Sequence, residues 1–280
     1  MAELKPLLKG LIFPEGPRWH DGRLWFSDMH AHKVRAVDLN GRAEDIVEVP
    51  AWPSGLGWLP DGTLLIVSMT DRKLLRFKSG RLETHADISE LASFHCNDMV
   101  VDGQGRAYVG NFGFDLLSGG PQKQAELVLV DPDGSARVVA DGLDFPNGSV
   151  ITPDGQTLIV GESLGHRLTA FHIDHDGSLI NASLWAELGG AVPDGIALDA
   201  ENAIWVASPL THELLRVNQG GAIAERIQCG SMPIACALGG PARKTLFVLL
   251  ADSINPDECR SKKSAHIDVM EVAVGGAGWP

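Results

Sequence analysis

The stretch PNGSVITPDGQTLIVGE at residues 146–162 decides the fold. It joins a polar residue before Gly to a short apolar run, an Asp-Gly turn and a second apolar run. The same pattern recurs at a period of roughly 40–50 residues, which is the spacing of propeller blades. The related copies are EGPRWHDGRLWFSD at 15–28, SGLGWLPDGTLLIVS at 54–68, NDMVVDGQGRAYVGN at 97–111, DGIALDAENAIWVAS at 194–208 and a degraded copy from Ile234.

Six copies predict an all-β, six-bladed β-propeller with four antiparallel strands per blade. Asp-Gly between two apolar runs favours a tight hairpin, because such turns need positive φ angles. The segment at 4–12 has no partner in its own blade, so we expect it to pair with 265–274 and close the ring. Helical turns are expected at most at 87–94 and 116–127. Since the repeat covers most of the chain, residues 1–280 are predicted to form a single domain.

Composition restricts the partners of this protein. The 280 residues carry a formal net charge of −13, which argues against nucleic acid and anionic membranes. The N-terminal sequence predicts no signal peptide, and there is no apolar run long enough to span a bilayer. The four cysteines form no CxxC pair, so a reduced, cytoplasmic protein is the simplest interpretation. The predicted partner is a small-molecule substrate. Oligomeric state stays open.

The first residue of the repeat carries an oxygen ligand in four copies: Glu15, Asn97, Asn147 and Asp194. Equivalent positions of every blade face the central channel, so these side chains are expected to converge. Two carboxylates and two amides form a hard set of oxygen donors, which suits Ca²⁺ best. Mg²⁺, Mn²⁺, Zn²⁺ and Fe²⁺ are the alternatives for this single divalent cation. The competing interpretation, four ordinary turn residues before Gly or Asp, does not explain their common repeat position.

Four segments resemble those of the senescence marker protein/gluconolactonase family. They are FPEGPRW at 13–19, HCNDMVVDGQGRAYVG at 95–110, FPNGSVITPDGQTLIV at 145–160 and VPDGIALDAENAIWVA at 192–207. The resemblance runs from about residue 11 to the C-terminus. It implies a six-bladed propeller that hydrolyses lactones at one divalent metal in its channel.

The resemblance also implies roles for single residues. Glu15, Asn147 and Asp194 match the metal ligands, and Asn97 matches a residue that binds the metal or the substrate. Asp194 also matches the proposed catalytic carboxylate, which would accept the proton of the attacking water.

One departure bears on the substrate. Sugar-lactone members of the family commonly carry Arg where this chain has His95, and His cannot copy the fork of donors that Arg offers to hydroxyl groups. The predicted substrate contacts are His95, Asn97, Asn111 and Phe112. The loop at 112–124 is expected to reach the channel mouth. Its Phe residues, with Trp52 and Trp58, indicate a less hydrophilic substrate, so a sugar lactone and a less polar lactone both stay open.

Other functions stay open at this point. The same metal could support phosphotriesterase-like or other esterase chemistry. A non-catalytic interaction module would have no need for the four oxygen donors, and a metal-free condensing enzyme of the strictosidine synthase type is disfavoured by the same set.

Two further patterns are interpreted as structural. GESLG at 161–165 matches a nucleophile elbow but lacks the following helix. His30 and His32 are interpreted as solvated loop residues.

Overall fold

The computed structural model describes residues 3–279. Within them the chain forms 24 β-strands. They are β1 Lys5–Leu11, β2 Pro14–His20, β3 Arg23–Asp28, β4 Lys33–Val37, β5 Ala43–Glu48, β6 Pro53–Trp58, β7 Leu64–Ser68, β8 Lys73–Lys78, β9 Arg81–Asp87, β10 Cys96–Val101, β11 Ala107–Asn111, β12 Ala125–Val130, β13 Ala136–Leu143, β14 Pro146–Ile151, β15 Thr157–Glu162, β16 Arg167–Ile173, β17 Leu179–Glu187, β18 Ile196–Leu198, β19 Ile204–Ser208, β20 Glu213–Val217, β21 Ile223–Gln228, β22 Met232–Gly239, β23 Thr245–Ala251 and β24 Ala265–Glu271.

These strands form six four-stranded sheets, one per blade. Blades 1 to 5 each use four consecutive strands, starting at β2, β6, β10, β14 and β18. Blade 6 has the order β22-β23-β24-β1, and β1 pairs antiparallel with β24 from Lys5↔Val269 to Leu11↔Ala265. The predicted propeller and its closure by the N-terminal strand are therefore confirmed. Closure removes the long free edge that an open ring would expose.

The Asp-Gly turns take two forms. Between β2 and β3, Asp21 and Gly22 both have positive φ (47° and 75°), as a two-residue hairpin requires. In blades 2 and 4 only the Gly has positive φ, and the preceding Asp closes the turn with its side chain. Asp61 Oδ1 accepts from the Thr63 amide at 2.9 Å, and Asp154 Oδ1 accepts from the Gln156 amide at 3.0 Å.

Neither 87–94 nor 116–127 forms a helix, as expected for loops. The first segment holds one hydrogen-bonded turn, in which the Ala92 amide donates to the Ile88 carbonyl at 3.0 Å. The loop between β23 and β24 holds the helix α1, Pro256–Lys262, and a single 3-10 turn covers Met29–Ala31. Asn255 caps α1 by accepting from the Asp257 and Glu258 amides, and Pro occupies the first turn where its missing N–H costs nothing. No helix in residues 3–279 has the length and apolar character needed to cross a bilayer.

The inner strands of neighbouring blades approach so closely that glycine is required between them. A Cβ on Gly195 would lie 2.4 Å from the Cβ and 2.6 Å from the Cα of Ala235 in the next blade. Gly55 and Gly148 meet backbone atoms of the following inner strand at similarly short distances. The glycine of the repeat therefore serves close packing around the axis rather than a turn.

We expect Gly195→Ala to destabilise the fold by about 1–3 kcal/mol or more, because the new methyl overlaps backbone that has no room to shift. Urea unfolding of the two proteins measures the loss. Gly230→Ala is the matched control, since a Cβ there meets nothing within 4 Å. Equal stability of both variants would contradict the close-approach argument.

The four cysteines are buried and unpaired, and burial raises the pKa of Cys96 to about 12. Cys96 therefore behaves as a packed apolar side chain, in keeping with its interpretation from the sequence.

Candidate functional site

Three of the four repeat-position oxygen donors lie at β-bulges, and the fourth lies just before its strand. The pairing of the first two strands shifts register between Glu15 and Arg18, between Cys96 and Met99, and between Pro146 and Ser149. In blade 5 the strand proper begins only at Ile196, two residues after Asp194. A bulge turns a side chain out of the regular alternation and is common beside active sites. The four side chains therefore lie at the channel and not in the apolar core between the blades.

These side chains meet in one cavity of about 270 Å³. Its lining includes Glu15, Asn97, Asn147 and Asp194, which come from four different blades. Glu15, Asn97 and Asn147 are buried, whereas Asp194 keeps partial exposure. Phe112, another predicted contact, lines the same cavity.

The orientation of the Asn147 amide follows from its neighbours. Ser163 Oγ donates its single proton to the Pro193 carbonyl at 2.6 Å, so it can only accept from Asn147, 3.1 Å away. The group facing Ser163 must then be the NH₂ of Asn147. Its carbonyl oxygen is left free to act as a ligand. Ser163 belongs to the GESLG segment, and it orients Asn147 instead of acting as a nucleophile.

The pKa values of both cavity carboxyl groups, Glu15 and Asp194, are raised. Burial, followed by repulsion from Asp194 and Asp98, raises the pKa of Glu15 well above its usual range, although its Oε2 accepts from the Gly16 amide at 2.8 Å. Burial also raises the pKa of Asp194 to about 8, and repulsion from Asp98 adds to the effect. A cation between such groups would favour their charged forms.

Arg18 and Asp98 form a buried ion pair next to these carboxylates. Arg18 Nη2 donates to Asp98 Oδ1 at 2.7 Å, and Nε donates to the Leu56 carbonyl at 3.0 Å. The guanidinium also donates to the Met99 carbonyl, so it links the inner strands of blades 1, 2 and 3. The Arg18 charge partly offsets the rise in the pKa of Glu15, so the ion pair contributes to the electrostatics of the site.

The donors fit a divalent cation. Glu15, Asp98 and Asp194 with Arg18 give this part of the channel a formal charge of −2 when ionised (three negative, one positive), which one divalent cation balances. The four cavity-lining donors are oxygens of the kind that Ca²⁺ and Mg²⁺ prefer. In addition, the buried hydroxyl of Ser54, at the repeat position of blade 2, has no hydrogen-bond partner within residues 3–279.

Two predicted substrate contacts do not line the cavity. The Asn111 amide donates to the Glu126 carbonyl at 3.0 Å, and its oxygen accepts from the Gly113 amide at 2.9 Å. These bonds hold the start of the 112–124 loop. His95 is half-buried and stacks on Phe94, with ring centroids 4.2 Å apart, next to Phe112. Both residues therefore support the cavity wall from behind.

His30 requires a correction, because it is buried and lines the cavity. Its ring packs against Phe13 and Trp52, with centroids 5.0 and 4.9 Å away. Burial lowers its pKa to about 4, so the imidazole is neutral at physiological pH. His32 is only half-buried, and its Nδ1 lies 2.7 Å from the Pro50 carbonyl.

The sequence carries a second signal for the cavity, which the repeat position alone did not reveal. The residue two positions before the repeat position lines the cavity in four blades. These residues are Phe13, Trp52, Phe145 and Val192. The repeat therefore encodes two layers: a polar layer at the repeat position and an apolar layer two residues earlier.

Comparison with known proteins identifies a family, related sequences and a solved structure that are similar to this chain. The family model for the SMP-30/gluconolactonase/LRE-like region matches residues 13–252. Regucalcin of Xenopus laevis is 26% identical over 87% of this chain and 85% of its own, and 6-deoxy-6-sulfogluconolactonase of Pseudomonas putida is 24% identical over 85% and 82%. A crystal structure of a calcium-binding protein, regucalcin from Agrobacterium tumefaciens, superposes with a TM-score of 0.79 at 21% identity, covering 98% of this chain and 92% of that one.

Proposed function

Because this chain belongs to the SMP-30/gluconolactonase/LRE-like family, we propose that it hydrolyses lactones at a divalent cation held by Glu15, Asn97, Asn147 and Asp194. The observation that carries the proposal is the convergence of these four oxygen donors, from four blades, in one cavity. A lactonase among the relatives, 6-deoxy-6-sulfogluconolactonase, supports the reaction class.

A bound cation would supply Lewis-acid polarisation of the lactone carbonyl and would stabilise the negative charge that develops on its oxygen. The chain's own residues do the rest. Asp194, the most accessible of the donors, accepts a proton from the attacking water. The water oxygen bonds to the carbonyl carbon, the ring C–O bond breaks, and the ring oxygen takes up a proton. The product is the open hydroxy acid.

Ca²⁺ is the cation we propose. Carboxylate and amide oxygens without His or Cys match its preference, and the flexible coordination of Ca²⁺ tolerates donors from four separate strands. The solved regucalcin structure is described as that of a calcium-binding protein, which supports this choice.

The test is lactone hydrolysis by EDTA-treated protein with cations restored one at a time. We expect hydrolysis of γ-butyrolactone or D-glucono-1,5-lactone above the spontaneous rate to return with Ca²⁺, and to stay absent in Glu15→Gln. Mg²⁺, Mn²⁺, Zn²⁺ and Fe²⁺ in parallel rank the cations. Cation binding without turnover of any lactone would redirect the chemistry to other esters, and full activity in EDTA would reject the proposal.

A further inference from the structure

The walls of the cavity are almost entirely apolar above the four oxygen donors. Glu15 and Asp194 are the charged residues that line it within residues 3–279, and the neutral His30 adds no charge. The walls are formed by aromatic, aliphatic and Met side chains. They are Phe13, Met29, Trp52, Met69, Phe112, Phe145 and Val192.

Two of these aromatic residues are held in a strained backbone conformation. Trp52 and Phe145 have φ angles of 64° and 65°, in the left-handed region that bulky side chains avoid. Such a conformation costs on the order of 1–3 kcal/mol and tends to occur at functional sites. Each residue precedes a Pro and the repeat position. Phe145 stacks on Phe112 with ring centroids 4.6 Å apart. The strained backbone therefore holds its ring against a second aromatic ring in the cavity wall.

The rim continues the apolar surface into solvent. Loops between the second and third strands of blades 3 to 6 supply exposed aliphatic side chains that line the same cavity: Leu116, Leu117, Leu164, Leu210 and Ile254. Leu210 is 74% exposed and Leu117 is 44% exposed. Four separate loops thus place large apolar side chains around one cavity mouth. Exposed apolar residues that cluster in this way, unlike scattered ones, indicate a binding surface.

This surface does not suit a sugar. Each hydroxyl of a polyol that leaves water without a hydrogen-bond partner costs about 1–3 kcal/mol. Within residues 3–279 the polar side chains of the lining are few: Asn97, Asn147 and Ser163 beside the two carboxylates, and the single imidazole of His30. His95, a predicted substrate contact, does not line the cavity.

We propose that the substrate is a lactone bearing an apolar chain or ring, whose ester is held at the four oxygen donors and whose apolar part lies along the walls and rim. This inference rests on the proposed lactonase function and specifies its substrate class. The occupant is a small molecule because the rim side chains and the four oxygen donors line one continuous cavity of about 270 Å³.

The first test is a homologous series of γ-butyrolactone, γ-hexalactone, γ-octalactone and γ-decalactone, with D-glucono-1,5-lactone as the polyol. We expect kcat/KM to rise by roughly fourfold for each methylene group that becomes buried, the equivalent of its transfer free energy. The polyol should be hydrolysed more slowly than the long-chain members. Preference for the polyol, with no dependence on chain length, would overturn the substrate assignment and leave the lactonase proposal standing.

The second test uses exposed rim variants, which should fold normally. Leu117→Ser and Leu210→Ser are each expected to lower the ratio of kcat/KM for γ-decalactone to kcat/KM for γ-butyrolactone by about tenfold. Leu39→Ser is the matched control, because Leu39 is 42% exposed and does not line the cavity. Equal effects of all three variants on both lactones would contradict the role of the rim.

A third measurement separates the two proposals. Calorimetric binding of 2-pyrrolidinone and of its long-chain 5-alkyl homologue, which are not turned over as esters, reports the apolar site without chemistry. Tighter binding of the alkyl lactam without hydrolysis of any lactone would keep the apolar site and reject the lactonase function. No difference between the lactams would reject the apolar site, whatever the hydrolytic activity.

Discussion

Asp194→Asn is expected to lower kcat for lactone hydrolysis by about 10²–10⁴-fold at saturating cation, the range that general-base groups contribute. An amide at this position keeps an oxygen that can bind the cation but cannot accept a proton from water. Cation affinity should therefore fall much less than the rate. Stopped assays of hydrolysis over a Ca²⁺ titration give both quantities from one data set.

Asn147→Ala is the matched comparison. It removes a donor oxygen and the hydrogen bond to Ser163 but leaves the carboxylate in place. We expect a higher Ca²⁺ concentration for half-maximal activity, with most of kcat regained at saturation. If Asp194→Asn and Asn147→Ala lose affinity and rate to the same extent, Asp194 is only a ligand, and the proton acceptor must be sought elsewhere.

The sequence predicted those features that the repeat itself encodes. In four blades a Gly follows the repeat position and marks the close approach of inner strands, and Asp-Gly marks the first hairpin of most blades. Both are local requirements that reappear in every blade, so the propeller and its closing strand were predictable. The convergence of Glu15, Asn97, Asn147 and Asp194 followed directly from their common repeat position.

What could not be predicted depends on loops that do not repeat. His30 lies in a 3-10 turn whose burial results from packing against Phe13 and Trp52, so its neighbours in sequence gave no sign of it. Asn111 was predicted to contact substrate together with the loop at the channel mouth, yet its amide is fully used by Glu126 and Gly113. Nothing local distinguishes these two outcomes, because each is decided by the conformation of an irregular loop.

The Arg18–Asp98 pair was missed for a different reason. Asp98 occupies the place of the repeat glycine, and its partner lies 80 residues away in the chain. An ion pair between the inner strands of two blades leaves no periodic trace in the sequence. Arg18 also lies in β2 shortly before the Asp21-Gly22 turn, where a charged residue is common.

Arg18→Met is expected to lower the free energy of unfolding by about 3–5 kcal/mol, the typical cost of removing one partner from a buried ion pair. The loss has two sources: Asp98 is left as an uncompensated buried charge, and the Leu56 and Met99 carbonyls lose a donor. Urea unfolding in EDTA measures it without any contribution from a bound cation.

A double-mutant cycle with Asp98→Asn distinguishes the charge from the packing. If the lone carboxylate causes most of the damage, Arg18→Met/Asp98→Asn should be more stable than Arg18→Met alone, and the two single losses should not add. Arg18→Lys should recover little, because one ammonium cannot reach the Asp98 carboxylate and the carbonyls of two neighbouring blades at once. Additive losses of unfolding free energy would mean that Arg18 stabilises the fold through the hydrogen bonds by which it links three inner strands. Asp98 would then stabilise the fold independently of Arg18.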